Sequence, residues 1–375
     1  MPYAWLGVAI IPILGIVVMT IRKKSINPYE GGIALLVSLL IGYGLHTAGV
    51  NSQTADTEIW NGAITHKYRD RVPCEHSYSC NCRTECSGSG NKRTCSEVCD
   101  TCYDHSHDYN WEVETTAGDF RIPRVNRRGD KEPPRWTQVI IGEPASRSHR
   151  YTNFVQAVEE SLYHRSMAEF ATLPNVPDYP EVYDYHRIQR VLTVGVELPN
   201  VAQWNHRLSK HLETLGPNKQ ANIIVIVTAS PDQSYRYKVE QAWEGGNKND
   251  IVVFIGAPDG KTIAWVDVMT WALNKGNEHL QVYLRNALLK VGTLENNGAL
   301  IVDTIAQEVD ARFVRPQMKD FEYLTSAISP PLWMTLLAAL FNIGVTIGLL
   351  MFFHKNEFHP FRGGLQTLRT RRSFH

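Results

Sequence analysis

The chain has 375 residues, 43% of them hydrophobic, and 38 basic residues balance 38 acidic ones to a formal net charge of zero. The zero hides a segregation: eight basic residues lie beside apolar segments, while the long middle part carries 30 basic against 36 acidic residues, a net −6. An acidic middle offers no electrostatic footprint for nucleic acid, which is excluded as a partner.

Three long stretches lack any charged side chain: Tyr3–Ile21, Gly31–Val50 and Tyr323–Phe353. About 20 apolar residues cross a hydrocarbon core of roughly 30 Å, so three transmembrane helices are expected, the third beginning after Pro330-Pro331. Arg22, Lys23 and Lys24 follow the first span rather than precede it, which argues against a cleaved signal. The same residues, in the loop 22–30, and Lys355, Arg362, Arg369, Arg371 and Arg372, in the tail 354–375, mark the cytoplasmic side. Residues 51–327 then lie on the far side, the periplasm if the membrane is a bacterial (host) inner membrane. The lipid bilayer is the first partner implied. His46 and Asn342 are the strongly polar side chains within the spans, and helix packing is the expected role for both.

A β-hairpin module is expected over 51–132. Glu58–Tyr68, Trp111–Thr115 and Asp119–Val125 read as strands. Between the first two lies a Cys-rich insert, 74–102, holding all seven cysteines: Cys74, Cys80, Cys82, Cys86, Cys95, Cys99 and Cys102, followed by His105 and His107. Around Gly88 and Gly90 the insert is too polar to bury a core and needs staples. Two chemistries fit. Disulfides suit an extracytoplasmic compartment, with one thiol left over and 15 connectivities open to six cysteines. Zinc could take Cys99, Cys102, His105 and His107, with Cys80, Cys82 and Cys86 offering part of a second site. Arg121, Arg124, Arg127, Arg128 and Lys131 form a basic cluster that reads as a solvated turn, with an anion site the weaker alternative.

Residues 133–186 are irregular, with a strand at Thr137–Ile141 and one helix from Asn153 to about Phe170, capped by Thr152. Leu173–Tyr185, with three prolines, reads as an extended surface linker and a domain boundary.

Residues 187–315 show an orderly α/β pattern. Val191–Leu198 is a strand, and a helix follows with Asn200 as cap and Val201, Trp204, Leu208, Leu212 and Leu215 on one face, stopped by Gly216-Pro217. Ile223–Val227 suits a strand covered on both faces. Ser230-Pro231-Asp232-Gln233 opens a helix with a capping-box arrangement, which Gly245-Gly246 ends. Ile251–Ile255 and Thr262–Val268 pair across the Pro258-Asp259-Gly260 turn. Helices follow at Glu278–Val291 and Gly298–Phe313, completing the order β-α-β-α-β-β-α-α.

This order, with Trp243-Glu-Gly-Gly, Asn249-Asp250 and IVVFIGAPDGKTIAWVDV, resembles the TPM-domain family of membrane-anchored extracytoplasmic proteins. The whole chain, including VPCEHSYSCNCR and GEPASRSHRYTNFVQAV, is also similar to uncharacterised membrane proteins of tailed bacteriophages. The resemblance implies a mixed sheet flanked by helices, an α/β/α sandwich with a divalent cation in an acidic cleft, and weak phosphatase activity in some members beside assembly roles in others. Carried onto this chain, the cleft positions are Asn200, Asn249, Asp250, Asp259 and Asp267. Asn200 stands where the family commonly has Asp, and Ile251 where it has a small glycine, so a hard-cation site loses ligand charge. Turn or cap chemistry is the plainer reading of each. No G-x-S-x-G, H-E-x-x-H or P-loop motif is present. His206 and His211, five apart on the expected helix, do not form a metal pair.

The expected whole is an α+β membrane protein: two spans in 1–50, the hairpin module, the TPM-like domain, a third span at 331–353 and a basic tail. Its expected work is binding or assembly with other envelope or virion proteins at the host envelope. A weak metal-dependent phosphatase and a zinc-dependent binding module are the alternatives.

Overall fold

The computed structural model describes residues 4–23, 26–87, 94–158, 172–271, 277–359 and 364–367. The chain divides into two compact units. One comprises Met1–Asp56, Arg150–Arg165 and Gln317–His375, the other Thr57–His149 and Ser166–Pro316.

The first unit is built on helices α1 (Ala4–Arg22), α2 (Pro28–Thr54) and, near the other end of the chain, α8 (Leu332–Lys355). Asn27 opens α2 with a reciprocal capping box: its Oδ1 accepts from the Glu30 amide at 2.9 Å, and Glu30 Oε2 accepts from the Asn27 amide at 2.7 Å. Together with Pro28 at the first helical position, this satisfies donors that a helix start leaves open. Among the described residues, two helices are long and apolar enough to cross a membrane, α2 and α8, with mean hydropathy 1.8 and 2.3 in their most apolar windows. Of the three spans expected, α2 and α8 have this length and hydropathy.

Small and polar residues line the contact between α2 and α8 in this helix group. Ala34, Ser38, Gly42 and Gly49 are buried on α2, and Ala339, Asn342 and Thr346 on α8. Ser38 Oγ donates to Asn342 Oδ1 at 2.8 Å and lies 2.7 Å from Thr346 Oγ1, while Asn342 Nδ2 donates to the Ser38 carbonyl at 3.0 Å. The packing role expected for Asn342 is thus seen, with Ser38 as its partner. Val17, Leu350 and Phe353 are buried beside them, while many large apolar side chains point outward: Leu36, Leu39, Leu40 and Tyr43 on α2, and Leu332, Trp333, Leu336, Leu337, Leu340 and Phe341 on α8, are all exposed.

Also in this unit, Asn153 rather than Thr152 caps the turn that follows it, accepting from the Val155 and Gln156 amides at 3.2 Å each. Most of the helix expected from Asn153 to Phe170 lies outside the described residues.

In the second unit, strand β1 (Ala55–Val72) runs antiparallel to β4 (Asp108–Thr115), from Ile64↔Thr115 to Val72↔Asp108. Beyond that end, β2 (Ser77–Ser87) and β3 (Thr94–Tyr103) pair as a further hairpin, so the Cys-rich insert is the tip of a long β-hairpin, as its position implied. Strand β5 (Phe120–Ile122) pairs with β4, and β6 (Pro144–Thr152) with β1, giving the order β5-β4-β1-β6. The core of this sheet is Ile64, Trp111, Val113, Phe120, Ile122, Val139 and Ala145. Thr137–Ile141 is not a strand. Pro133 and Pro134 start a one-turn helix, α3 (Pro134–Thr137), and the Val139 amide closes back on the Trp136 carbonyl at 3.2 Å.

A small hairpin, β7 (Val182–Tyr183) and β8 (Arg187–Ile188), leads into the second sheet. That sheet holds β9 (Val191–Val194), β10 (Asn222–Thr228), β11 (Asp250–Gly256) and β12 (Trp265–Met269) in the order β12-β11-β10-β9, with β12 alone antiparallel. Both faces are covered, which is why β10 and β11 are fully buried and read as unbroken apolar runs. One face carries α4 (Val201–Lys219), α6 (Asn277–Val291) and α7 (Gly298–Arg312) over Ile223, Val225, Val227, Ile251, Val253 and Ile255. The other carries α5 (Tyr235–Ala242) over Ile224, Ile226, Val252 and Phe254. The chain steps across β9, β10 and β11 in one direction while α4 and α5 lie on opposite faces. The two crossovers therefore have opposite hands, and one departs from the right-handed rule.

Several local expectations are corrected. Leu173–Tyr185 is extended but is no surface linker: Leu173, Val176 and Tyr179 pack on the α5 face. The Asn175 carbonyl accepts from Tyr235 at 2.8 Å, the Leu173 carbonyl from Lys238 at 2.8 Å, and the Pro177 carbonyl from Trp243 at 3.0 Å. The capping box at Ser230 does not form, because Ser230 and Asp232 spend their side chains on local turns and the helix starts only at Tyr235. Gly216-Pro217 does not stop α4, which runs on to Lys219. Proline in the last turn forfeits one hydrogen bond, and Gly216 is needed for contact, since a Cβ there would lie 1.9 Å from the Asn61 carbonyl oxygen. The remaining helix and strand order matches the expectation from Val191 to Arg312. After α7 the first unit adds a 3₁₀ helix, Met318–Ala327, before α8, and a short hairpin after it, β13 (Asn356–His359) and β14 (Gly364–Thr367).

Candidate functional site

Three places in the second unit gather functional groups. The first is a cavity of about 990 Å³ at the carboxyl edge of the parallel strands. In open α/β sheets that edge is where ligands bind, because strands end and helices begin there. Its polar lining includes Glu197, Asn200, His206, Arg207, Lys261 and Glu295. Gly298 forms part of the wall because a Cβ would lie 2.0 Å from Trp204 Nε1. Asn200 occupies the cap position of α4 in a left-handed backbone conformation, φ 64°, and its side chain makes no cap hydrogen bond. Asp303 on α7 accepts from Arg207 at 2.6 and 2.5 Å and from His211 at 2.7 Å, which holds its carboxyl down to about 2, the Arg207 hydrogen bond being the main cause. His211 is thereby paired with Asp303.

The second is a buried polar network at the opposite, amino edge. Asn222 and Asp250 sit side by side at the starts of β10 and β11. Asp250 accepts from the Asn247 amide at 2.7 Å, from Asn222 Nδ2 at 2.8 Å and from the Tyr179 hydroxyl at 3.1 and 3.0 Å. Burial still raises its carboxyl to about 6, against the lowering effect of these donors. Asn222 also accepts from Arg190, whose guanidinium reaches Asn61 and, at 2.6 Å, Ser146 Oγ. Burial lowers Arg190 to about 9. One amide side chain thus separates a buried cation from a buried acid, and the network joins the first sheet, through Asn61 and Ser146, to the second.

The five cleft positions carried over from the family do not converge. Asp250 and Asn249 lie at the amino end of β11, and Asp259 follows its carboxyl end. Seven residues at ~3.3 Å each put about 20 Å between those ends. Asn249 donates to the Ile59 carbonyl at 2.8 Å. Asp259 closes the β11–β12 turn on the Lys261 and Thr262 amides at 2.8 and 2.7 Å, which lowers its carboxyl to about 2. Asp267 sits mid-strand on β12 and accepts from Gln233 at 3.3 Å. Only Asn200 lines the carboxyl-edge cavity. The residues missed from sequence are Arg190, Asn222 and Tyr179; the available signal was that Arg190, Asn222 and Asp250 each open an apolar strand run.

The third place is the Cys-rich hairpin. Cys80–Cys102, Cys82–Cys99 and Cys86–Cys95 form three nested disulfides, and Cys74 is free and buried. The zinc set Cys99, Cys102, His105 and His107 is overturned, because both its sulfurs are bonded elsewhere, and Cys80, Cys82 and Cys86 are likewise consumed. His107 faces arginines instead, with Arg71 at 3.2 Å from Nδ1 and Arg128 at 3.2 Å from Nε2. Among the described residues, two groups bring three possible metal donors within 4.8 Å of one another: Cys82, Glu97 and Cys99, whose sulfurs are disulfide-bonded, and Cys74, His105 and Asp108. The basic cluster is largely neutralised: Arg121 pairs with Glu112, Arg124 with Asp108 and Glu75, and Arg127 with Asp104.

The chain matches no protein-family model, no curated protein and no solved structure.

Proposed function

We propose that this is a membrane-anchored binding or assembly protein, phage-encoded, whose second unit faces the periplasm of the host. The observation that carries the binding role is the hairpin β2–β3. Every described residue of β2 except Cys80 is exposed, so the hairpin lacks a core of its own and is held by three cross-links. A two-stranded ribbon is marginal in water without such support. A ribbon stapled this heavily, with both faces open, serves contact with another molecule better than it serves stability. The disulfides favour an oxidising compartment. The band of exposed large apolar side chains on α2 and α8, with small and polar residues at their contact, is what a bilayer selects and water opposes, and the basic residues flanking α2 and α8 favour a cytoplasmic loop and tail.

The phosphatase reading has less support, since Asp250 and Asp259 lie at opposite ends of β11, Asp267 sits mid-strand on β12, and Asp250 is buried under hydrogen bonds from Asn247, Asn222 and Tyr179. The test is in cells. A photo-cross-linking residue at exposed Tyr78 or Tyr103 is expected to give a discrete adduct in the infected host, and a reporter fused after Val50 to be active only outside the cytoplasm. A cytoplasmic reporter, or no adduct from either position, would overturn the reading.

A further inference from the structure

The hairpin base holds a group that the proposed binding role does not use. Cys74 precedes β2, and His105 and Asp108 close the far side of the same hairpin. Cys74 Sγ lies 3.8 Å from His105 Nδ1, and Asp108 Oδ1 lies 3.3 Å from that same nitrogen. A single ring nitrogen cannot accept from the thiol and donate to the carboxylate at once. The Asp108 side chain is fully buried, and its Oδ1 makes no well-formed hydrogen bond, facing the Cys74 thiol and the His105 ring together. Its other oxygen is fixed by the Glu75 amide at 3.2 Å and by Arg124 at 3.1 Å, which turns Oδ1 toward Cys74 and His105.

We propose that Cys74, His105 and Asp108 are the three protein ligands of a divalent metal site of the zinc type, with a fourth position open to solvent. Tetrahedral zinc, with bonds of ~2.0 Å to nitrogen or oxygen and ~2.3 Å to sulfur, sets its ligands about 3.3 Å apart for nitrogen and oxygen and about 3.6 Å apart for nitrogen and sulfur. The observed 3.3 and 3.8 Å approach that geometry before any metal enters. Thiolate, imidazole and carboxylate together suit a borderline divalent cation rather than calcium or magnesium, which prefer all-oxygen sites. The Glu75 amide and Arg124 orient the carboxylate from behind, as outer partners do at metal centres. His105 is 28% exposed and gives the ion its entry and its fourth, water ligand. On binding, the Cys74 thiol releases its proton and the imidazole binds through Nδ1 with its proton on Nε2. The disulfides are untouched, so this site rests on different atoms from the binding role and stands or falls separately.

The test uses the full chain in detergent with its disulfides intact. Zinc added in twofold excess and then gel-filtered should remain at one equivalent per chain. Cobalt in its place should give the intense near-ultraviolet thiolate charge-transfer band of a cysteine-ligated ion. Cys74→Ser should abolish that band, and Asp108→Asn should weaken zinc affinity at least tenfold. His107→Ala, outside the ligand set, should leave both unchanged. Disulfide mapping of each variant, showing all three pairs, separates loss of ligand from loss of fold. Zinc retention below a tenth of an equivalent, or a Cys74 thiol that alkylates at the same rate with and without zinc, would overturn the site.

Discussion

The Tyr179 hydroxyl lies 3.1 and 3.0 Å from the two oxygens of the Asp250 carboxyl, at the buried amino end of the central strand. Burial raises Asp250 from its ordinary 3.8 to about 6. Between those values the folded chain keeps a proton that the unfolded chain has released, so stability falls as pH rises through that window. About two pKa units correspond to ~3 kcal/mol. Asp250→Asn is expected to remove this slope, read as the unfolding midpoint from pH 4 to 7. An unchanged slope would place the titration elsewhere.

Tyr179→Phe should cost about 1–3 kcal/mol, because it withdraws a donor from a buried carboxyl and leaves Asn247 Nδ2, now 3.1 Å from the hydroxyl, without that acceptor. The loss should be largest above pH 6, where Asp250 is charged. A midpoint equally lowered at pH 4 and pH 7 would contradict it.

Arg190→Met is expected to destabilise the second unit by about 3 kcal/mol, since Asn61, Ser146 and Asn222 would each face an apolar chain. Arg190→Lys should recover less than half of this, because three acceptors are met by one planar fork. Denaturant unfolding followed by tryptophan fluorescence measures both, and a loss under 1 kcal/mol for Met would show the network to be dispensable.

Removing the Cys80–Cys102 pair, 22 residues apart, should cost the hairpin about 3 kcal/mol, and the Cys86–Cys95 pair, nine apart, somewhat less. No described hairpin residue belongs to either core of the second sheet. Limited proteolysis is therefore expected to cut the reduced hairpin early while 187–315 stays intact. Simultaneous cleavage of both would refute that independence.

Asn342→Leu should loosen α2 from α8 by about 1 kcal/mol, the usual worth of a polar contact between apolar helices. A detergent-unfolding midpoint checks it, and a rise instead of a fall would show that hydrogen bonding to Ser38 adds nothing to packing.

Much of the α/β arrangement was legible because periodicity reports burial directly. Ile223–Val227 and Ile251–Ile255 are unbroken apolar runs, and the structure covers both on two faces. Local start signals fared worse. Ser230 and Asn200 have cap chemistry, yet the loops before α5 and α4 take turn and left-handed conformations that leave both side chains unused as caps. The Leu173–Tyr185 segment looked solvated because its apolar residues are spaced by prolines rather than by a helix or strand period. The site was hardest to read: Arg190, Asn222 and Asp250 are separated by 28 to 60 residues, and only strand register shows that they meet. The disulfide pairing was equally hidden, since spacing alone leaves 15 ways to join six cysteines.

Each covalent cross-link in this protein closes between residues no more than 22 positions apart, within one ribbon. Oxidation of that segment needs nothing from the chain that follows it, so the ribbon can be locked while the central strands are still unmade. The α/β domain then folds as a chain free of covalent constraint, and its topology, including the crossover of unusual hand, is chosen by packing alone.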